Sequence, residues 1–219
     1  MYKDIISNIL SKNIVIEKGL YLVATPIGNI NDITIRALKA LNHSDTIICE
    51  DTRVTKKLFF HLGIPKKEKN WLTYNDHSNE KNINAILNEL DKGKIISFVS
   101  DAGTPLISDP GYKLIQHIRQ SKHHIFSLPG PCSAIASLII SGLKTDKFCF
   151  IGFLPKNKNN YIATLRNYTK SNYSLIIYEK PSRLNFLLTI IKENFKTFKL
   201  AIVKELSKLY EDVFFVTQE

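Results

Sequence analysis

The chain is short of the residues on which the commonest secreted, membrane and nucleotide-binding architectures depend. Only three cysteines occur in 219 residues. Cys49, Cys132 and Cys149 are odd in number, far apart and set among apolar neighbours, which argues for reduced thiols and against a disulfide framework or a zinc site. The six histidines show no metal-ligand spacing, so no metal is expected. No apolar run reaches the ~18–20 residues of a membrane span, and the first twenty residues lack the apolar core and small-residue cleavage site of a secretory leader. A cytoplasmic protein with no membrane partner is therefore expected. The nine glycines form neither G-x-G-x-x-G nor G-x-x-x-x-G-K-[ST], which removes the usual dinucleotide and nucleoside-triphosphate fingerprints. No G-x-S-x-G elbow occurs, which speaks against a serine hydrolase.

What is present is an ordinary globular composition, 44% hydrophobic and 23% charged, in a chain long enough for one large domain or two modest ones. The net charge of +10 favours a polyanionic partner only modestly, because most of it is lysine scattered among asparagine and isoleucine. Arginine is confined to Arg36, Arg53, Arg119, Arg166 and Arg183. Where lysine so often stands in, a retained arginine hints that its planar fork is needed.

The most informative stretch is 95–111. An apolar, β-branched run over 95–99 predicts a strand buried on both faces, as in a parallel sheet. It gives way abruptly to Asp101, Gly103, Thr104 and Pro105, and Asp109-Pro110 then predicts a cap and first-turn proline for a helix. Further strands are predicted over 20–24, 46–49, 71–74 and 125–128, each separated from the next by a helical pattern. Asn31 or Asp32 is expected to cap the first of those helices. This alternation predicts a parallel α/β sheet. Pro129-Gly130-Pro131 is the expected domain boundary. Beyond it come a buried helix over 133–140, strands over 148–153, 174–178, 200–203 and 212–217, and a helix after the turn at 179–183. The expected organisation is an N-terminal extension over 1–18, an α/β domain over 19–128 and a second α/β domain over 129–219 with a mixed sheet that stops early.

Parallel strands would bring three unusual turns to one rim: Pro26-Ile27-Gly28-Asn29, Glu50-Asp51-Thr52-Arg53 and Asp101-Ala102-Gly103-Thr104. Carboxylates, hydroxyls and backbone groups of this kind suit a cationic or zwitterionic nucleoside better than a triphosphate. Each turn also has a bland reading. Asp51 and Arg53 could be a helix-start carboxylate and a solvated cation, Pro181 and Arg183 a helix cap, and His77 a surface turn residue.

Residues 20–36, L-Y-L-V-A-T-P-I-G-N-I-N-D-I-T-I-R, with E-D-T-R at 50–53, S-D-A-G-T-P-L-I-S-D-P-G at 100–111 and P-G-P at 129–131, resemble the tetrapyrrole-methylase-like methyltransferases. Within them the chain is similar to the subfamily that methylates the ribose 2'-oxygen of a cytidine in 16S ribosomal RNA, in the decoding region of the small subunit. Y-E-K-P-S-R at 178–183 and K-E-L-S-K-L-Y-E-D at 204–212 extend the likeness. The resemblance implies two α/β domains with S-adenosylmethionine in the cleft between them, a homodimer, and 16S ribosomal RNA in the small ribosomal subunit as partner. It implies cofactor contacts from Pro26, Gly28, Asp101, Ala102, Gly103, Thr104, Pro131, Ser133, Ala134 and Tyr178. Substrate contacts would come from Arg53, Lys180, Arg183 and Glu205, with Glu50, Asp51, Arg53 and Lys204 as candidate catalytic residues. The chemistry implied is in-line attack of a ribose hydroxyl on a sulfonium methyl, with Glu50, Asp51 and Lys204 each open as general base. Ser182 and Tyr210 stand where the family usually has histidine, and members run on beyond residue 219. Methylation of a tetrapyrrole carbon and a non-catalytic RNA-binding remnant stay open as alternatives.

Overall fold

The structure, a computed structural model, describes residues 2–11, 15–75, 80–170 and 172–218. His77 and its neighbours at 76–79 lie outside the described residues. The chain divides into two compact units, Met1–Cys132 and Ser133–Glu219.

In the first unit an opening helix α1 (Tyr2–Leu10) precedes strand β1 (Gly19–Val23), helix α2 (Ile35–His43), β2 (Thr46–Cys49) and α3 (Thr52–His61). Then follow β3 (Asn70–Thr73), α4 (Glu80–Asp91), β4 (Ile95–Phe98), α5 (Tyr112–Arg119) and β5 (Ile125–Leu128). The five strands form one sheet in the order β3-β2-β4-β1-β5, with every pairing parallel. The period-2 alternation of side chains divides the strands' apolar residues between two cores. Tyr21, Val23, Ile47 and Cys49 pack with Ala37, Leu38, Leu41, Phe59 and Leu62 of the α2 and α3 side. Leu20, Ile48, Ile96 and Phe98 pack with Ile83, Ile86, Leu90, Leu114 and Ile118 of the α4 and α5 side. Ile47 and Ile48 are both fully buried, each on its own face, so truncating either to alanine would cost about 2–5 kcal/mol.

Two helix starts differ from the sequence expectation. Asn31 and Asp32 sit in a short 3-10 turn, Ile30–Asp32, whose own cap is the Asn29 side chain. Thr34 caps α2, its Oγ1 accepting the Ala37 amide at 3.1 Å, so the helix begins one turn later than a cap at Asn31 or Asp32 would place it. Similarly, α5 does not start at Asp109-Pro110 but at Tyr112, after Gly111 with φ 133°. A side chain at 111 would place its Cβ 2.6 Å from the Phe98 ring, so only glycine lets the chain turn into the helix over that ring. Leu106 and Ser108 also have positive φ, which coils the intervening loop and turns Asp109 toward Ser100.

The second unit runs α6 (Ser133–Ile140), β6 (Phe148–Phe153), α7 (Lys158–Tyr168), β7 (Ser174–Tyr178), a 3-10 turn (Pro181–Arg183), α8 (Leu184–Asn194), β8 (Phe198–Lys204) and β9 (Asp212–Gln218). Both kinds of pairing occur, as two separate two-stranded ladders: β6 and β7 parallel, β8 and β9 antiparallel. Leu154, Tyr161, Leu165, Leu187, Ile190 and Ile191 form its core. Asn157 caps α7 by accepting the amides of Asn159 and Asn160. The three cysteines are free, Cys49 buried and the other two half-buried. Among the described residues no helix is long and apolar enough to cross a membrane.

Candidate active site

The parallel sheet carries the three polar turns to the carboxyl ends of β1, β2 and β4, and the structure joins them. Thr25, just after β1, and Gly103, beyond β4, exchange backbone hydrogen bonds of 2.9 and 3.1 Å. The buried Thr25 hydroxyl donates to the Ser100 carbonyl at 3.4 Å, and the Ser100 hydroxyl donates to the Gly103 carbonyl at 3.3 Å. Thr104 Oγ1 donates to the Pro131 carbonyl at 2.9 Å, tying in the turn after β5. The Asp51 amide donates to Asp101 Oδ1 at 3.4 Å. Pro26, Gly28, Asp101, Ala102, Gly103, Thr104 and Pro131, expected on the cofactor side, thus lie on or beside one hydrogen-bonded rim. Thr25 and Ser100 are additions. Both stand inside the stretches 20–36 and 100–111 that carry the resemblance, but only the tertiary contact shows that they bridge turns 75 positions apart.

Gly103 has φ +87°, a conformation that side chains other than glycine's adopt at a cost. A Cβ there would lie 3.3 Å from Ile27 Cγ2 and 3.8 Å from the Pro131 carbonyl oxygen. The glycine therefore serves the close fit between turns. Its missing side chain faces protein, Ile27 and the Pro131 carbonyl.

The rim is acidic. Partial desolvation pushes the Asp101 carboxyl up, and the neighbouring Asp51 charge adds to this. Desolvation also raises Asp109, with Asp101 contributing, against a lowering hydrogen bond from Ser100. Asp51 behaves in the opposite way. Its carboxylate accepts the Arg53 amide at 2.8 Å, Nε at 3.0 Å and a terminal guanidinium nitrogen at 2.6 Å. Those bonds, the side-chain one first, pull its pKa down to about 2. It is also the N-cap of α3. A carboxylate so occupied has little proton affinity near neutrality, which makes Asp51 a poor general base. Glu50 is exposed at the end of β2.

In the second unit a groove of about 390 Å3 is lined by Ser133, Ser137 and Ser141 of α6 and its end, Tyr178 at the end of β7 with Glu179 beyond it, and Val203 and Glu205 of the β8 arm. Ser133 and Tyr178, both expected on the cofactor side, meet hydroxyl to hydroxyl, and Phe150 stands edge-on to the Tyr178 ring at 4.9 Å. Ala134 is buried in α6. Strand alternation gives Val203 to the groove and Lys204 to the other face. Lys204 Nζ lies 4.7 Å from the Phe214 ring centre and 3.8 Å from Asp212. Glu205, with φ 49°, breaks the strand and returns to the groove.

Lys180 is exposed, but Arg183 is committed within the unit. Its guanidinium donates to the Pro155 carbonyl at 3.1 Å, lies 3.8 Å from Glu179 and stacks at 5.2 and 5.8 Å from the Tyr161 and Phe186 ring centres. Tyr161, fully buried, donates its hydroxyl to Glu179 at 2.8 Å, and burial followed by that carboxylate pushes its phenol pKa up. Glu179 stands in the Y-E-K-P-S-R stretch that carries the resemblance, whereas Tyr161, a tyrosine inside a helix, has no mark in the sequence of its meeting with that glutamate. Among the described residues no group of His, Cys, Asp and Glu could hold a metal ion.

A parallel sheet with its polar turns knitted at the strand ends defines an α/β protein whose candidate chemistry sits on that rim. The chain belongs to the family described as Tetrapyrrole (Corrin/Porphyrin) Methylases, which it matches over residues 19–219. It is 41% identical over 198 residues to "Ribosomal RNA small subunit methyltransferase I" of Rickettsia prowazekii, covering 90% of this chain and 70% of that protein. Proteins of the same name from Escherichia coli O157:H7 and Thermotoga maritima are each 40% identical over 195 residues, or 89% of this chain. They are covered over 67% and 86% of their own lengths. Among solved structures, the methyltransferase CobJ superposes with a TM-score of 0.67 at 16% identity, covering 91% of this chain and 86% of that one. A uroporphyrin-III-C-methyltransferase from Thermus thermophilus superposes at 0.58 and 16%, covering 90% and 84%. At such identity the structures bear on the fold alone.

Proposed function

We propose that this chain transfers a methyl group from S-adenosylmethionine to the ribose 2'-oxygen of a cytidine in 16S ribosomal RNA, within the small ribosomal subunit. The observation that carries the reading is the identity of about 40% over nine-tenths of the chain to small-subunit ribosomal RNA methyltransferases. Tetrapyrrole C-methylation draws on the family's general description and on structures at 16% identity, not on a relative of comparable identity. A ribosomal substrate also implies work in the cytoplasm, and the reading includes a homodimer.

The rim suits the cofactor in its chemistry. Asp101 offers an exposed carboxylate whose ionisation is disfavoured in the free protein, so a cation beside it is welcome. Thr104 and the backbone of residues 101–105 and 26–28 add donors and acceptors, and the close fit at Gly103 fixes their spacing. Ser133 and Tyr178 are the second unit's cofactor residues in this proposal. When bound, S-adenosylmethionine supplies an electrophilic methyl on a sulfonium centre, an already activated leaving group. The protein's task is then mainly to hold the attacking hydroxyl in line, with proton removal a smaller factor. Of the three candidate bases Asp51 is held by Arg53 and Lys204 lies against Phe214 and Asp212, and the proposal keeps Glu50 with them on the substrate side. Arg53, whose side chain is 89% exposed, orients Asp51 and contacts RNA phosphate. Lys180 and Glu205 remain substrate-side residues in the proposal.

The test is to incubate the protein and labelled cofactor with small subunits lacking the modification, then map alkaline resistance of the RNA, which arises where the 2'-hydroxyl is blocked. A single resistant cytidine is expected. Label on a base, or on a tetrapyrrole only, would refute the assignment.

A further inference from the structure

Helix α3 leaves the rim at Asp51 and carries a face that the proposed reaction leaves unused. Lys56, Lys57, Phe60 and His61 are exposed on it, as are Lys66 and Lys67 in the loop beyond. Phe60 is 67% exposed while the adjacent Phe59 is fully buried, so the helix's apolar stripe is satisfied without it. Isolated exposed phenylalanines are common and mean little alone. Here the ring has company: Lys66 Nζ lies 5.4 Å from its centre, and the His61 ring stands edge-on at 5.6 Å. From 52 to 69 the only acid is Glu68. Lys69 is turned inward, bonding the Asn42 and Ser44 carbonyls, which leaves Lys57, Lys66 and Lys67 as the outward cations, with Lys56 over the Trp71 ring at 5.1 Å and Arg53 tied to Asp51.

Cations that track a phosphate backbone, interleaved with an aromatic face on which a base can stack, are how single-stranded nucleic acid is held without sequence reading. We propose that the outer face of α3 and the loop after it form a docking surface for single-stranded RNA. Lys57, Lys66 and Lys67 would contact phosphates, and Phe60 would stack one unpaired base. The inference rests on the ribosomal RNA reading above and adds to it: the helix begins at the rim, so RNA held along it has one end beside Glu50 and Asp51.

The experiment uses the whole chain and an unstructured RNA oligonucleotide, with binding measured over a salt series and without reading methyl transfer. The triple variant Lys57→Gln, Lys66→Gln, Lys67→Gln should flatten the salt slope by roughly two units, at ~0.7 per phosphate contact on a single strand. Phe60→Ala should weaken binding by about ten-fold with the slope unchanged, Phe60→Leu should behave like alanine, and Phe60→Tyr should restore affinity. S-adenosylmethionine affinity, measured by calorimetry, should not move in any of them. Unchanged RNA affinity in the variants, or no RNA binding by the parent, overturns the proposal. So does a Phe60→Ala protein that changes only its sedimentation, which would assign the face to self-association. Variants that lose RNA in a protein that never methylates ribose would leave this surface standing and sink only the reaction.

Discussion

The resemblance implies a substrate contact from Arg183, but its surroundings argue that it holds the second unit together. Consider Arg183→Ala. The change removes a charged hydrogen bond to the Pro155 carbonyl and two ring contacts, and deprives Glu179, 7% exposed in its side chain, of its neighbouring cation. A hydrogen bond from a charged donor contributes about 1.5–3 kcal/mol, and the low end applies because the arginine side chain is 26% exposed. Each cation–π contact adds about 0.5–1 kcal/mol. These overlap and do not sum fully, so the expected loss is about 2–3 kcal/mol. For a domain of under 100 residues that is roughly 10–20 °C in Tm.

The single tryptophan makes the assay selective. Trp71 lies on β3 of the first unit, so its emission reports that unit, whereas far-ultraviolet circular dichroism reports both. Arg183→Ala should lower a transition seen by circular dichroism, and Arg183→Lys, which keeps charge but not the planar fork, should fall between. A variant that unfolds like the parent by both probes, yet binds RNA weakly, would return Arg183 to the substrate side and refute the structural account.

Gly103→Ala should destabilise the first unit by about 1–2 kcal/mol in denaturant unfolding, because alanine must adopt φ +87° and press on Ile27; unchanged stability would count against that account. In acid titration of the parent, the Asp51–Arg53 pairing should give a contribution complete above the ordinary aspartate pKa and lost as pH falls through about 2, since the folded value is the lower one. Asp51→Asn should flatten that limb. S-adenosylmethionine affinity should fall as Asp101 protonates, because its raised pKa means that a bound cation must drive off a proton. Calorimetry with Asp101→Asn should show weaker binding and less dependence on pH across the carboxylate range.

Much of the fold was legible because it is local. β2, β5, β6, β7 and α6 have the bounds that apolar runs and turn residues suggested, and buried parallel strands announce themselves as short β-branched stretches. Helix starts were less legible. Thr34 outcompeted Asn31 and Asp32 as the cap of α2 because the preceding residues formed a turn of their own around Asn29. The α5 start was set by the Phe98 ring under Gly111, a tertiary fact that Asp109-Pro110 could not reveal. At the site, residue types drew attention to the three turns, and parallel pairing placed them on one rim. What the types could not say was which charges are already spent. Asp51 and Arg183 look alike in sequence to groups awaiting a substrate, and both turn out to be bound within their own unit.

That distinction between spent and available charge bears on how the proposed chemistry is shared out. A strong base is not demanded when the methyl donor is a sulfonium and the reaction's main requirement is alignment. The partly desolvated carboxylates at the rim, Asp101 and Asp109, are therefore better employed in favouring a cation than in taking a proton. Asp51, tied to Arg53, would then fix where that guanidinium points as α3 begins. The same helix goes on to present lysines and Phe60 outward, so one element of ten residues would join the electrostatics of the rim to the holding of the RNA strand. Substitutions near its start should then disturb catalysis and RNA binding together, whereas those near its end should disturb RNA binding alone. A gradient of that kind along α3 is what separate roles for rim and helix face require.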